Sequence, residues 1–273
     1  MSAVKNNKNV FNVIRKIKGS LNAEYVSETI KRVVVGIYMT AVETSSIGCT
    51  YSLRDDKPIP HMNPEIKFAG KIAGMKVSEV IEWFESDSSL ERSIAVAAIN
   101  SCLNRDSEKY LEGDPLVYAR DRFTGSKVVM VGHFPFAEEI SEWAGEFTIL
   151  ELNPAQGDRN YRDARDKLKD ADLTIVTGVT LLNNTFPEVL SLASSSYVIM
   201  LGPTVPFSSV LFEHGVNLIT SLVVDNSNKL FRSISEGAIV PRYLGGKMMS
   251  YTNEKDISLP PGDFRLRLTN QER

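Results

Sequence analysis

Apolar positions along the chain change their period near its middle. In the first half, Val10, Phe11, Val13, Ile14 and Ile17 recur at helical spacing. The run Val33–Val42 is rich in β-branched residues and predicts a strand, and Ile47–Leu53 predicts a second. Only the polar stretch Glu43–Ser46 separates them, so an antiparallel hairpin is expected. Arg54–Pro64, with its charges and three prolines, reads as loop. Two helices follow. Val77, Val80, Ile81 and Phe84 share one face of the first. The second, Leu90–Leu103, is apolar almost all round through Ile94–Ile99 and should be buried. Strands first and helices after predict an α+β domain over residues 1–123.

From Lys127 onward, short apolar runs alternate with helical stretches. The runs are Val128–Val131, Phe147–Leu152, Leu173–Thr177, Tyr197–Leu201 and Val216–Val224. Between them, Phe136, Ile140, Trp143 and Ala144 fall on one helical face, and Tyr161–Lys169 reads as a further helix. Thr185-Phe186-Pro187-Glu188 has the spacing of a capping box, and Gly215 sits where an αL stop would end a helix. Five strands alternating with helices predict a Rossmann-like, doubly wound parallel sheet over residues 124–245, so the chain as a whole reads as α/β. The boundary between the halves falls in the polar stretch Glu112–Gly125. Past Gly245 the chain is polar and carries Pro260-Pro261-Gly262; residues 246–273 read as an extended tail, or an arm laid on a neighbour in a homo-oligomer.

Composition narrows the function classes. The chain has 273 residues, 42% hydrophobic and 24% charged, with a formal charge of −3, which is ordinary for a globular protein. Lys and Arg are scattered rather than clustered, which argues against a nucleic-acid partner. No apolar run reaches the ~18 residues of a membrane span, and Met1–Asn9 lacks the apolar core of a secretion signal. Cys49 and Cys102 form no CxxC pair, so neither a disulfide framework nor a thiolate zinc site is expected, and a cytoplasmic location follows.

In open parallel sheets, ligands bind beyond the carboxyl ends of the strands. That rule alone selects the loops to inspect. The first is Gly132-His133-Phe134-Pro135, whose free amides would favour an anionic group. It is not GxGxxG, and it lacks the acidic glycine-rich pattern common to methyltransferases; a glycine there also serves a simple turn. Glu151 lies nineteen residues after Gly132, where nucleotide-binding relatives of this fold hold ribose hydroxyls, though an acid solvated at a strand end is an equal reading. Asp158, in the polar turn beyond it, is in a position to face the same crevice. Thr177, Gly178, Thr180 and Asn183 offer hydroxyls and amides to orient a substrate, and Gly202-Pro203 reads as a stiff pocket wall. His133 is the candidate proton shuttle. His214 is sufficiently explained by a helix C-terminus, and His61 in its loop is uninformative. No two histidines have metal-ligand spacing, and no GxSxG nucleophile is present. In the first half, Glu43 at the hairpin turn and Asn100 in the apolar helix stand out. Either a domain-spanning hydrogen bond or a place in an interdomain pocket accounts for Asn100.

Val131-Gly132-His133-Phe134-Pro135, Glu151 with Pro154 and Gly157-Asp158, Leu201-Gly202-Pro203 with Pro206, and Leu211-Phe212-Glu213-His214-Gly215 together resemble one bacterial and archaeal family. It is labelled "putative heavy-metal chelation", a domain of unknown function. Ala97-Ala98-Ile99-Asn100 resembles the helix motif of its N-terminal partner domain, and the likeness covers about residues 20–240. The resemblance implies an enolase-N-terminal-like domain, a Rossmann-like domain partly similar to methyltransferases, and a pocket between them. It also implies condensation or hydrolysis of flavin-, pterin- or siderophore-like molecules. The expected function is therefore an enzyme or binding protein for a small anionic or heterocyclic metabolite connected with metal chelation. His133 would be its acid/base, Glu151 and Asp158 would bind or polarise, and the amides after Gly132 would hold an anion. The sequence points to no resident metal and leaves any cofactor unidentified. A non-catalytic carrier of a metal chelate and a nucleotide- or S-adenosylmethionine-using transferase are the alternatives.

Overall fold

The computed structural model describes residues 12–54, 65–105, 109–239 and 245–262. Residues 12–20 are helical and bury Val13, Ile14 and Ile17. Val10 and Phe11 of the same pattern, His61 and most of the proline-bearing loop lie outside the described residues. The strand signals of the first half resolve into three strands rather than two. β1 (Arg32–Val35), β2 (Met39–Glu43) and β3 (Ile47–Tyr51) form an antiparallel sheet in that order. The run expected to be one strand folds back at Gly36, whose N–H donates to the Met39 carbonyl at 2.8 Å. Hydropathy hides this turn because its tip, Ile37 and Tyr38, is apolar yet exposed.

The helix Ser89–Leu103 is buried on every side, as its composition predicts. Ser88 caps it by accepting the Glu91 N–H. Its Ile94, Val96 and Ile99 share a core with Val131, Val176, Met200 and Ile219 of the second half, so one helix serves both sheets.

The second sheet contains β4 (Lys127–Val131), β5 (Glu146–Glu151), β6 (Arg159–Asn160), β7 (Leu173–Thr177), β8 (Tyr197–Leu201), β9 (Leu218–Val224) and β10 (Gly246–Tyr251). Their spatial order is β10-β9-β8-β7-β4-β5-β6. All neighbours are parallel except β10 on β9. Alternate residues feed opposite faces. Val129 and Val131 join the core of the buried helix, whereas Val128 and Met130 pack with Leu116, Ile140 and Leu230 of the helices on the other face. A mostly parallel, doubly wound sheet after an α+β unit is therefore what the chain builds.

Two local expectations need correction, and one short strand was not expected. The chain beyond Gly245 does not leave the domain at once: Gly246–Tyr251 is an edge strand paired from Gly246 opposite Val224 to Tyr251 opposite Ile219. Its apolar stretch is only Met248 and Met249, too short to register as a strand. β6, two residues long, escapes notice for the same reason. The Thr185–Glu188 capping box does not form. The Thr185 hydroxyl donates to Asn183 Oδ1 at 2.8 Å, and Glu188 accepts instead from the Tyr161 hydroxyl and from Arg165. A nearby phenol and guanidinium outcompete the backbone for that carboxylate. Gly215, by contrast, ends the 3-10 helix Ser209–His214 in the αL conformation, as expected. Among the described residues no helix is long and apolar enough to cross a membrane.

Candidate functional site

The chain passes from β4 to β5 and β6 on one side, then returns to place β7 on the other side of β4. Loops leaving β4 and β7 thus diverge to opposite faces and open a crevice at the strand ends. A cavity of about 560 Å³ lies there. Its floor is set by Gly132, which has φ +93° and so lies in the region that disfavours side chains. A Cβ on Gly132 would stand 2.7 Å from Thr177 Cγ2, so the two strand-end loops meet at this glycine.

Gly132, His133, Phe134, Pro135, Glu151, Thr177, Gly178, Thr180, Asn183, Gly202 and Pro203 all line the cavity. The fold therefore brings together most of the residues singled out from sequence. Met39, Tyr51 and Leu53 of the first half close one side, and Ile239 and Met248 another. Sequence reasoning missed these five: Met39, Tyr51 and Leu53 lie in or just beyond a separate sheet, which carries no signal that it roofs a distant loop, and Met248 lies on an edge strand too short in apolar residues to register. Tyr161 was missed as well. It enters the cavity wall from the helix after β6, a position fixed only by the register of that short strand.

The polar groups form a few connected sets. His133 Nδ1 lies 2.8 Å from Asp158 Oδ1. The Asp158 side chain is 1% exposed and the imidazole 45%. Asp158 Oδ2 accepts the Ala155 N–H, which fixes the carboxylate through its own turn. Glu151 does not reach outward. Its Oε1 accepts the His133 backbone N–H at 2.8 Å, and its Oε2 accepts the Leu152 N–H at 3.1 Å. The first amide after Gly132, expected to receive an external anion, is thus already taken by the chain's own carboxylate. On the opposite wall the Tyr161 hydroxyl donates to Glu188 Oε2 at 3.1 Å, and Arg165 holds Glu188 Oε1 at 2.6 Å. Burial first, and Glu188 second, push the Tyr161 phenol well above its ordinary range, so it remains a donor. Thr180 donates to the Thr177 carbonyl, which leaves its hydroxyl largely committed.

Three candidates are not among the residues that line the cavity: Asp158, which stands behind His133, and Asn100 and Glu43. Asn100 donates through Nδ2 to the Cys49 carbonyl at 2.9 Å and to the Pro203 carbonyl at 3.3 Å. It spans the two halves behind the Gly202–Pro203 wall and positions that wall without lining the cavity. Glu43 accepts from Arg32 at 2.8 Å and from Ser227 at 2.9 Å, tying the small sheet to the helix Ser227–Ser235. Glu43 was singled out as a candidate ligand-binding residue because its partner Ser227 is distant in the chain and this tie is not visible in sequence. His214 places Nδ1 2.8 Å from the Val210 carbonyl, a structural contact at a helix end.

The donor set does not suit a bare heavy-metal ion. Among the described residues no three His, Cys, Asp or Glu side chains are grouped to hold a metal. Cys49 and Cys102 are buried and unpaired, and burial pushes their thiols up to about 12 and about 11. A thiol held protonated is a poor ligand for a soft metal.

A family model described as "Putative heavy-metal chelation" matches residues 114–253, and a second model with the same description matches residues 20–103. Among solved structures, the chain is similar to a protein of unknown function from the DUF364 family of Desulfitobacterium hafniense DCB-2. That likeness has a TM-score of 0.76 at 21% identity and covers 90% of this chain and 98% of the other. A second similar structure, also of unknown function and from the same family, comes from Pyrococcus horikoshii. It has a TM-score of 0.71 at 17% identity and covers 89% and 99% of the two chains. None of the curated proteins matches. At these identities the solved structures speak for the fold alone.

Proposed function

The chain belongs to the family described as "Putative heavy-metal chelation", and from that premise we propose that its cavity binds a small heterocyclic metabolite able to chelate a metal and acts on it through His133. The observation that carries this reading is that His133, which lines the cavity, is paired with the buried Asp158 behind it. With Nδ1–H held by a buried carboxylate, the imidazole keeps the Nε2 lone pair for a substrate proton. In a hydrolysis, Nε2 would take a proton from the attacking water and pass it to the leaving group; in a condensation the same transfers run in reverse. The Asn183 amide supplies a polar contact within a largely apolar lining, the usual composition of a small-molecule site.

The same geometry favours one second reading. A histidine oriented by a carboxylate is also a good single ligand for a metal that arrives already chelated, which would make the chain a carrier. The S-adenosylmethionine or nucleotide reading draws less support, because both Glu151 oxygens are engaged by backbone amides rather than turned toward a ribose. A cytoplasmic location belongs to the same proposal, supported by two unpaired buried thiols.

Thermal shifts of the purified protein against riboflavin, pterin, S-adenosylmethionine, a dinucleotide and free divalent metals separate these readings, since a ligand that binds only the folded state raises its stability. Stabilisation by a heterocycle, lost in His133→Ala, is expected. Stabilisation by free metal alone would overturn it.

A further inference from the structure

We propose that Glu151 sets the charge class of the ligand: it fills the anion seat of the Gly132 loop with a built-in carboxylate, so the cavity accepts neutral or cationic molecules and rejects phosphorylated ones. This inference rests on the cavity being the ligand site, and it deepens that reading.

In sheets of this topology the turn after the first strand offers backbone N–H groups to a ligand phosphate. Here the His133 N–H donates to Glu151 Oε1, and the Leu152 N–H donates to Oε2. The first amide of the Gly132 loop is therefore occupied, and its occupant is a carboxylate. A second carboxylate, Asp158, stands behind the His133 ring with its side chain 1% exposed. Among the described residues that line the cavity there is no Lys or Arg, and Glu151 is the one carboxylate. A phosphate entering this space would lose its hydration, meet no cation from those residues, and face a like charge at the first strand-end loop. Like charges brought together in a partly dehydrated site are strongly unfavourable. A neutral ring system or a cation meets no such opposition.

Two matched probe pairs differ only by a phosphate: riboflavin against flavin mononucleotide, and adenosine against adenosine monophosphate. Affinities of the wild type should favour the neutral member of each pair it binds by roughly tenfold or more. Glu151→Ala should reduce or invert that ratio. Inorganic phosphate, compared with chloride at equal ionic strength, supplies an arm that needs no heterocycle. It should leave the wild-type melting temperature unchanged and raise that of Glu151→Ala. Glu151→Gln retains an acceptor for the His133 amide, so it preserves the loop if the alanine variant does not fold, and it should show a smaller change of the same sign. A wild type that prefers the phosphorylated member, or phosphate responses that are equal in the wild type and both variants, overturns the inference. If neither probe pair binds but Glu151→Ala gains a phosphate response, the charge assignment stands and the heterocycle reading fails.

Discussion

The Nδ1 atom of His133 lies 2.8 Å from Oδ1 of Asp158, across the loop that follows β5. Two residues separated by the whole of β5 thus act as one unit, with the exposed imidazole in front and the buried carboxylate behind. A carboxylate in that position selects the tautomer and direction of the ring.

Removing either partner should therefore affect chemistry more than folding. His133→Ala should lower turnover of the substrate by roughly 10²–10⁴, the range of general acid–base catalysis. Asp158→Asn should fall in the same direction, because an amide in place of the carboxylate no longer fixes the Nδ1–H tautomer. Steady-state kinetics beside circular dichroism checks both. Unchanged kcat in His133→Ala would remove the acid/base assignment.

Gly132→Ala should destabilise the fold and narrow the cavity together. The residue sits at φ +93°, and the added methyl would stand 2.7 Å from Thr177 Cγ2. Backbone strain of this kind costs about 1–3 kcal/mol. Denaturant unfolding should show the loss, and ligand affinity should fall with it.

Asn100→Ala should loosen the contact between the halves. The Cys49 and Pro203 carbonyls would lose their shared Nδ2 donor, and leaving buried polar groups unpaired costs about 1–3 kcal/mol. Because Pro203 belongs to the cavity wall, ligand affinity should weaken although Asn100 touches no ligand. A stability loss without any change in affinity would contradict its role in positioning the wall.

Acid stability should depend on Glu28. Hydrogen bonding to Arg105 first, and the Ser45 amide and hydroxyl beside it, lower its carboxyl from the ordinary 4.5 to about 2. The folded state therefore holds this proton less tightly than the unfolded chain. The resulting stability is fully present above pH about 4.5 and is lost as pH falls toward about 2. Glu28→Gln should flatten the stability–pH curve within that window and leave its slope near neutrality unchanged.

Much of the fold was legible because the second half obeys one rule: short apolar strands between amphipathic helices. All five strands expected there are present, and the loops after β4, β7 and β8 line the cavity. What stayed hidden were features decided by partners far away in sequence. The turn at Gly36–Tyr38 was masked by its apolar tip, and the edge strand Gly246–Tyr251 is stabilised by β9 rather than by its own pattern. The site followed the same division. His133 and Asp158 could be placed on neighbouring loops from spacing, yet the turn of Glu151 back onto the His133 amide depends on side-chain geometry that spacing does not encode. The expected external anion gave way to an internal one for that reason.

The most direct test is the ¹⁵N spectrum of the histidine rings, tractable because the chain has only three histidines. It would be recorded at neutral pH with and without the heterocycle that gives the largest thermal shift. His133 should carry its proton on Nδ1 in the free protein, and ligand binding should move its Nε2 resonance while that of His214 stays in place. A His133 ring protonated on Nε2, or unmoved by a ligand that demonstrably binds, would contradict the assignment of this residue as the group that meets the ligand.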